Sequence, residues 1–314
     1  MTRTSIEWAT DSWNPIAAYD RETGKRGWFC TKVSPGCTNC YAEQWNRFRG
    51  NGHLYRVGNL DKVRFELAPT LTDPLHWRKP RRVFVNSMTD LFLEAHTNEM
   101  IDAVFAVMAQ AQRHQFLVLT KRPERMLTYT LARLAGLPLP NVWLGTSVEN
   151  QEQADLRIPL LLQTPAAIRF LSCEPLLGPV DILESIRVLH RRVGDFDPAF
   201  ANAGGIDWVI VGGESGGKAR PLDLAWVHKI ARQCEANRVP YFIKQLGSVP
   251  MMSEADWRGL MPGLVPLLSA RNHKKVPEGF VPIKLYDRKG GNPAEWREEL
   301  RVRQYPKEVA HAHS

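Results

Sequence analysis

The sequence predicts an α/β fold, a partial or full parallel β/α barrel of six to seven βα units with a C-terminal extension. Three observations predict it. Short, near-continuous apolar runs rich in β-branched residues recur along the chain, as in strands buried on both faces. Amphipathic stretches separate them at the spacing of a βα unit. Each run ends in polar or glycine residues, and parallel folds of this kind place ligands at the carboxyl ends of their strands. A chain of 314 residues, 44% hydrophobic and 24% charged, is long enough for such a core.

Taken in order, a first strand is expected within Ser5–Trp8 or Ser12–Ile16, before the cysteines. The later runs are Val83–Val85, Phe116–Leu119, Val142–Leu144, Ile168–Leu171, Trp208–Val211 and Tyr241–Ile243. Ile101, Val104, Phe105 and Met108 fall at i, i+3, i+4 and i+7 of one helix. Gly136 is placed to close a helix that begins near Pro123, and Asn150 to cap the one opening at Gln151. Leu224, Val227, His228 and Ala231 form another helical stripe. Residues 1–249 are expected to form the barrel. Residues 250–314, with a proline-rich and basic stretch up to Pro306, are read as an extension wrapping it or covering its mouth.

The strand ends carry Asn86, Ser87 and Asp90, then Lys121 and Arg122, then Ser147 and Glu149. Glu174, then Gly212, Gly213 and Glu214, then Lys244 stand at the later ones. Any one polar loop is explained by exposure and helix capping. Six polar ends in succession, above apolar strand bodies, point to a site.

Three of the five cysteines fall within eleven residues, Cys30, Cys37 and Cys40, on a turn at Pro35-Gly36. Three thiolates so close can converge on one metal centre and leave a position open on it for chemistry. Two centres suit the donor set: an iron–sulfur cluster with one iron lacking a protein ligand, or a zinc site completed by His53. Cys173 and Cys234 read as packing residues. The odd cysteine count and its spacing argue against a disulfide framework and for the cytoplasm. No apolar run is long enough for a membrane span, and the N-terminus is not of signal-peptide type.

With 41 Lys and Arg against 33 Asp and Glu, the net charge is +8 and the pI near 9.3. This suits an anionic partner, nucleic acid being the common one. Arg47, Arg49, Arg56, Lys62 and Arg64 follow the cysteines, and Arg78–Arg82 precedes the next strand. Trp45 and Trp77 are candidate platforms for stacking a base, although tryptophans at such positions also serve as core.

One ordered set of motifs carries a resemblance. Trp13-Asn-Pro15 precedes Cys30-Thr-Lys-Val-Ser-Pro-Gly-Cys37-Thr-Asn-Cys40-Tyr-Ala-Glu43, followed by Val85-Asn-Ser-Met-Thr-Asp-Leu-Phe92. Leu119-Thr-Lys-Arg-Pro123, Leu144-Gly-Thr-Ser-Val-Glu-Asn150, Ser172-Cys-Glu-Pro-Leu-Leu177, Val211-Gly-Gly-Glu-Ser-Gly216 and Asp287-Arg-Lys-Gly290 complete it. Over essentially its whole length the chain resembles a phage-associated three-cysteine-motif family of unknown function. Ala17–Phe29 reads as an insertion relative to that pattern, one that lengthens a loop. The family is in turn distantly similar to radical S-adenosylmethionine enzymes. Those use a partial barrel and a three-cysteine loop after the first strand to hold a 4Fe-4S cluster, whose open iron binds S-adenosylmethionine. Their usual spacing is Cys-x3-Cys-x2-Cys, whereas the first gap here has six residues. Their Gly-Gly-Glu after the second strand is replaced here by Asn86, Ser87 and Asp90.

The chemistry of the side chains, taken with the resemblance, assigns expected roles. Cys30, Cys37 and Cys40 would ligate the cluster, with Tyr41 packed beside it. Asp90 with Asn86 or Ser87 would receive the cofactor's ammonium group, and Lys121 and Arg122, or Ser147, its carboxylate. Glu149, Glu174 and Glu214 would accept from ribose hydroxyls or substrate. Gly212 and Gly213 would admit a flat ring, and Lys244 with Glu174 would serve catalysis or anion binding. The implied partners are a nucleic-acid or nucleotide substrate and a reductant for the cluster. Asp287–Gly291 is placed to reach the pocket, and His311–Ser314 reads as a loose end.

Overall fold

The computed structural model describes residues 2–184, 205–260 and 276–306, so the expected loose end at His311–Ser314 lies outside the described residues. In chain order the strands are β1 (Thr2–Arg3), β2 (Asp11–Trp13), β3 (Ile16–Asp20), β4 (Arg26–Gly27), β5 (Val63–Leu67), β6 (Arg82–Val85) and β7 (Gln115–Thr120). They continue as β8 (Val142–Ser147), β9 (Ile168–Cys173), β10 (Trp208–Gly212), β11 (Leu222–Asp223), β12 (Tyr241–Gln245), β13 (Pro250–Ser253) and β14 (Phe280–Pro282). The main sheet runs β1-β2-β6-β7-β8-β9-β10-β12. Its last seven strands are all parallel and curl into a half-barrel, while β1 is an antiparallel edge on β2.

All six apolar runs are strands of this sheet, and the first strand of its parallel set is Asp11–Trp13. Ser5–Trp8 is not extended: its Trp8 packs into the sheet's inner layer instead. The helices are α1 (Tyr41–Arg49), α2 (Asp73–His76), α3 (Asn98–Gln110), α4 (Pro123–Arg133), α5 (Gln151–Gln163), α6 (Leu224–Ala236) and α7 (Glu254–Leu260). Ile101, Val104, Phe105 and Met108 are the buried stripe of α3. The Asn150 side chain accepts the Gln153 N–H at 3.0 Å, which caps α5. Gly136, in the left-handed region at φ +70°, donates to the Thr130 carbonyl just past the end of α4.

Alternation along the strands divides the core. Val83, Val85, Phe116, Val118, Val142, Leu144, Val209 and Val211 point to the helices. Phe84, Leu117, Trp143, Phe170, Trp208, Ile210 and Phe242 fill the concave side. Trp208 is the hub of that inner layer, with the rings of Trp8, Trp143, Phe170, Phe242 and Tyr305 within 6.5 Å of its own. Each such pair contributes about 0.5–1.5 kcal/mol beyond burial. One step further along the same strands, the concave side changes to Ser147, Ser172, Gly212 and Lys244. The half-barrel is therefore an aromatic plug with a polar carboxyl-terminal rim.

Two smaller sheets dress it. Ala17–Phe29, expected only to lengthen a loop, contributes to a second sheet in the order β4-β3-β5. Its turn forms because Asp20 accepts both the amide and the hydroxyl of Thr23 at 2.6 Å, and Gly24 takes φ +69°. Strands β11, β13 and β14 make a third sheet. After it the chain packs Gly290 on Leu246 at the carboxyl end of β12, then runs antiparallel beside that strand through Val302–Gln304. This covers the free edge of the main sheet. No helix of the described residues is long and apolar enough to cross a membrane.

Candidate functional site

The three cysteines lie on the loop between β4 and α1, with a 3-10 turn at Pro35–Cys37 and Cys40 as the residue before α1. Side chains from four separate strand ends grip this loop. Beyond β7, Arg122 donates to the Thr31 hydroxyl at 2.7 Å and the Thr31 carbonyl at 3.1 Å, and its Nη1 stands 3.8 Å from the Cys30 sulfur. Beyond β8, the buried Glu149 accepts the Gly36 N–H at 3.0 Å. Beyond β10, Glu214 accepts from Asn39 at 3.0 Å, while Arg220 donates to the Pro35 carbonyl. Beyond β6, the Thr89 hydroxyl donates to the Phe29 carbonyl at 2.5 Å. The loop is thus docked over the carboxyl ends of the parallel strands, on the face where the sequence places its polar residues.

Several residues read as ligand contacts are holding this architecture. Asp90 accepts from the Thr120 hydroxyl at 2.7 Å, the amides of Phe92 and Lys121 at 3.0 and 2.9 Å, and Arg122 at 3.2 Å. Its carboxylate oxygens are occupied, so its role is to aim Arg122. Glu149 is paired with Arg157 at 3.0 Å. Burial alone would raise its pKa, but Arg157, Ser34, Lys121 and the Gly36 amide together hold it below the ordinary value. Glu214 is held low in the same way, burial being outweighed by Arg220 and Asn39. For Arg122, burial opposes the charge, but Asp90, Cys30 and Glu94 outweigh it and raise its pKa. These charges are structural clamps.

The glycines serve close packing. A Cβ on Gly213 would stand 2.6 Å from the Leu246 carbonyl oxygen, and one on Gly212 would stand 3.2 Å from the Glu174 carboxyl. Gly213 therefore lets the ends of β10 and β12 meet, a backbone approach different from the one expected toward a flat ring. Asp287 spends its carboxylate on the amides of Lys289 and Gly291 within its own turn.

Other expected residues keep groups turned toward the rim. Lys244 Nζ stands 2.5 Å from Glu174 Oε1, which also accepts from Gln245 at 3.1 Å. Lys121 Nζ donates to Ser147 Oγ at 3.2 Å, and its charge also acts on Cys40. Tyr41 donates its hydroxyl to the Ser87 carbonyl, and the Ser87 hydroxyl meets Asn14 of the Trp13-Asn-Pro15 motif. Asn86 differs from all of these. It is 2% exposed, its backbone is in the left-handed region at φ +53°, and neither side-chain oxygen nor nitrogen has a hydrogen-bond partner. A buried amide left without partners costs roughly 1–3 kcal/mol, and a strained backbone adds to it. At this strand end the fold leaves the amide unsatisfied.

The cysteines themselves are all free, as are Cys173 and Cys234 in the core. Burial pushes the Cys30 thiol up to about 12, against the pull of Arg122, and raises Cys40 as well. Thiolates here need a further positive charge, which a metal centre supplies. Among the described residues no three His, Cys, Asp or Glu side chains gather closely enough to hold a single ion. His53, the fourth ligand of the zinc reading, instead meets Asp20 at 2.5 Å.

Residues that pattern reading missed are Asn39, Arg157 and Arg220, which fasten the loop, and Asn46 and Asn51, which stitch α1 to the β3–β4 hairpin. Asn46 accepts from Trp28 N at 2.9 Å and donates to Asn51 at 2.7 Å, and Asn51 donates to the Ala18 and Trp28 carbonyls. Only the asparagines just before Cys40 and around Gly50 hinted at this. A cavity lined by Ile168, Asp207, Gln233, Cys234 and Pro240 opens at the opposite, amino-terminal end of the strands and takes no part in the site.

Comparison with curated proteins and with solved structures finds no match. A family model described as "Protein of unknown function (DUF5131)" matches residues 3–288, and the chain belongs to that family.

Proposed function

We propose that the protein is a radical S-adenosylmethionine-type enzyme that holds a 4Fe-4S cluster through Cys30, Cys37 and Cys40 and acts on a nucleobase or a nucleotide-related substrate. The observation that carries this reading is the docking of a three-thiol loop over the carboxyl ends of a parallel half-barrel, clamped by Arg122, Glu149 and Glu214. A thiol loop fixed there brings a metal centre to the place where such folds bind ligands. When bound, the cluster and its cofactor supply one-electron chemistry.

The chain's own residues bind and orient. Asn86 offers an amide with both donor and acceptor free to the ligand's ammonium or carboxylate. Lys121, resting on Ser147, adds a positive charge beside Cys40. The Lys244–Glu174 pair at the far side of the rim can hold or move a proton at Lys244 Nζ. The aromatic plug beneath excludes water from the floor of the site.

The test is anaerobic purification followed by iron and sulfide analysis, then reduction in the presence of S-adenosylmethionine. Four irons per chain, as an iron–sulfur cluster of this type requires, with reductive cleavage of the cofactor, is the expected result. Stoichiometric zinc without iron, or iron without cofactor binding or cleavage, overturns it.

A further inference from the structure

Helix α1, which begins just after Cys40, has two unlike faces. Ala42 and Asn46 are buried against the β3–β4 hairpin. The other side exposes Tyr41 at 51%, Trp45 at 54% and Phe48 at 76%. These three fall at i, i+4 and i+7, which is a single stripe along the helix. Between and after them stand Arg47 and Arg49. Arg47 lies 5.6 Å from the centre of the Phe48 ring, and Arg49 lies 5.3 Å from that of Trp45. The one acidic residue of the helix, Glu43, is turned away, paired with Lys32 at 2.8 Å and accepting the Tyr55 amide. That bond brings Arg56, also exposed, beside the same helix. A helix of nine residues thus presents three aromatic faces and two guanidinium groups, with Arg56 adding a third beside it and no unpaired acid among them.

Three aromatic rings held in water on one short helix carry a desolvation advantage that only a partner can realise. Its chemistry can be read from the surface. Rings flanked by guanidinium groups stack on flat bases, and the outward N–H groups of arginine pair with phosphates. A duplex hides its base faces, whereas a single strand exposes them. The net charge of +8 complements a polyanion. Tyr41 also ties the helix to the strand-end rim through Ser87, so a strand lying on α1 leads to the site.

We infer that the Tyr41–Trp45–Phe48 face of α1, with Arg47 and Arg49, is a docking surface for single-stranded nucleic acid that delivers its bases to the rim of the half-barrel. What happens to the strand at the rim rests on the function proposed above. Binding does not, because Trp45 and Phe48 make their ring contacts with Arg49 and Arg47 and not with the thiols.

The test is fluorescence anisotropy with the full-length chain, prepared with and without iron. The probes are labelled oligothymidylate and oligouridylate of about twenty nucleotides, long enough to span one such platform. Duplex of equal length and vesicles of phosphatidylcholine with phosphatidylglycerol are run alongside. Single strands are expected to bind more tightly than duplex whether or not iron is present, so loss of the cluster reading would leave this result standing. Trp45→Ala and Phe48→Ala should each weaken binding roughly tenfold, with Trp45→Phe restoring most of it. Arg47→Ala with Arg49→Ala should flatten the dependence of log affinity on log salt by about 1.4. These side chains are exposed, and circular dichroism checks that each variant is folded. Absence of single-strand binding at low salt, indifference to the aromatic substitutions, or binding to the vesicles in place of the oligonucleotides would each overturn the inference.

Discussion

Glu149, buried at the end of β8, accepts the backbone N–H of Gly36 at 3.0 Å, so a carboxylate of the sheet holds the middle of the cysteine loop. The fit is close on both sides. A Cβ at residue 36 would stand 2.9 Å from the same carboxylate oxygen, which leaves room for glycine and nothing larger. Behind it Arg157 neutralises the carboxylate at 3.0 Å.

Glu149→Gln keeps the shape but leaves the Arg157 charge buried without its partner. Breaking such a pair costs about 3–5 kcal/mol, and denaturant titration should show a loss of that order. Gly36→Ala should leave the sheet's stability nearly unchanged but shift the loop. Iron bound after anaerobic reconstitution is expected to fall several-fold in that variant.

The cysteines should separate into two classes. Cys30→Ser, Cys37→Ser and Cys40→Ser are each expected to abolish the visible absorption of an iron–sulfur cluster and to drop the iron content sharply. Cys173→Ala, a change inside the helix-facing core, should keep both while losing roughly 1–2 kcal/mol of stability to a small cavity.

Asn86→Gly removes an unpartnered buried amide and relieves a positive φ at a non-glycine residue. Its effect on stability should be neutral or favourable, within about 1 kcal/mol. Affinity for S-adenosylmethionine, measured by calorimetry, should fall at least tenfold. A variant that is no less stable yet binds poorly is the mark of a residue kept for a ligand.

His96 sets a pH dependence. It is 1% exposed, and burial holds its pKa down at about 4, although the Leu91 carbonyl at 3.1 Å pulls the other way. Between 6.5, its ordinary value, and 4, the unfolded chain binds a proton that the folded chain does not. Stability is therefore complete above about pH 6.5 and is lost as the pH falls toward 4, by roughly 3 kcal/mol in all. Urea titrations between neutral pH and about pH 4.5 should show the slope, and His96→Phe should remove this share of it.

Much of the fold was legible before any coordinates. The six apolar runs became the core strands because valine, isoleucine and aromatic side chains suit a sheet buried on both faces. Their polar ends did mark one rim, since period-two alternation and helix capping are local rules. The β3 strand was not legible: Ala17-Ala18-Tyr19 has little of a strand's composition and is extended because Arg64, Phe65 and Glu66 of β5 pair with it. Nor was the difference between Asp90, whose oxygens are satisfied four ways, and Asn86, four residues earlier, whose amide meets nothing.

The sequence by itself determined the core strands of the parallel sheet, four of the helices between them, the end of the sheet that would carry polar groups, and the loop that would carry three thiols. Only the tertiary structure decided which polar groups are spent and which are free. Hydrophobic periodicity acts over a few residues and survives in any correct packing. A carboxylate's partner is chosen by contacts such as Glu149 with Gly36 or Glu214 with Asn39, more than a hundred residues apart in the chain. Those contacts exist only after the sheet has closed and the loop has docked on its rim.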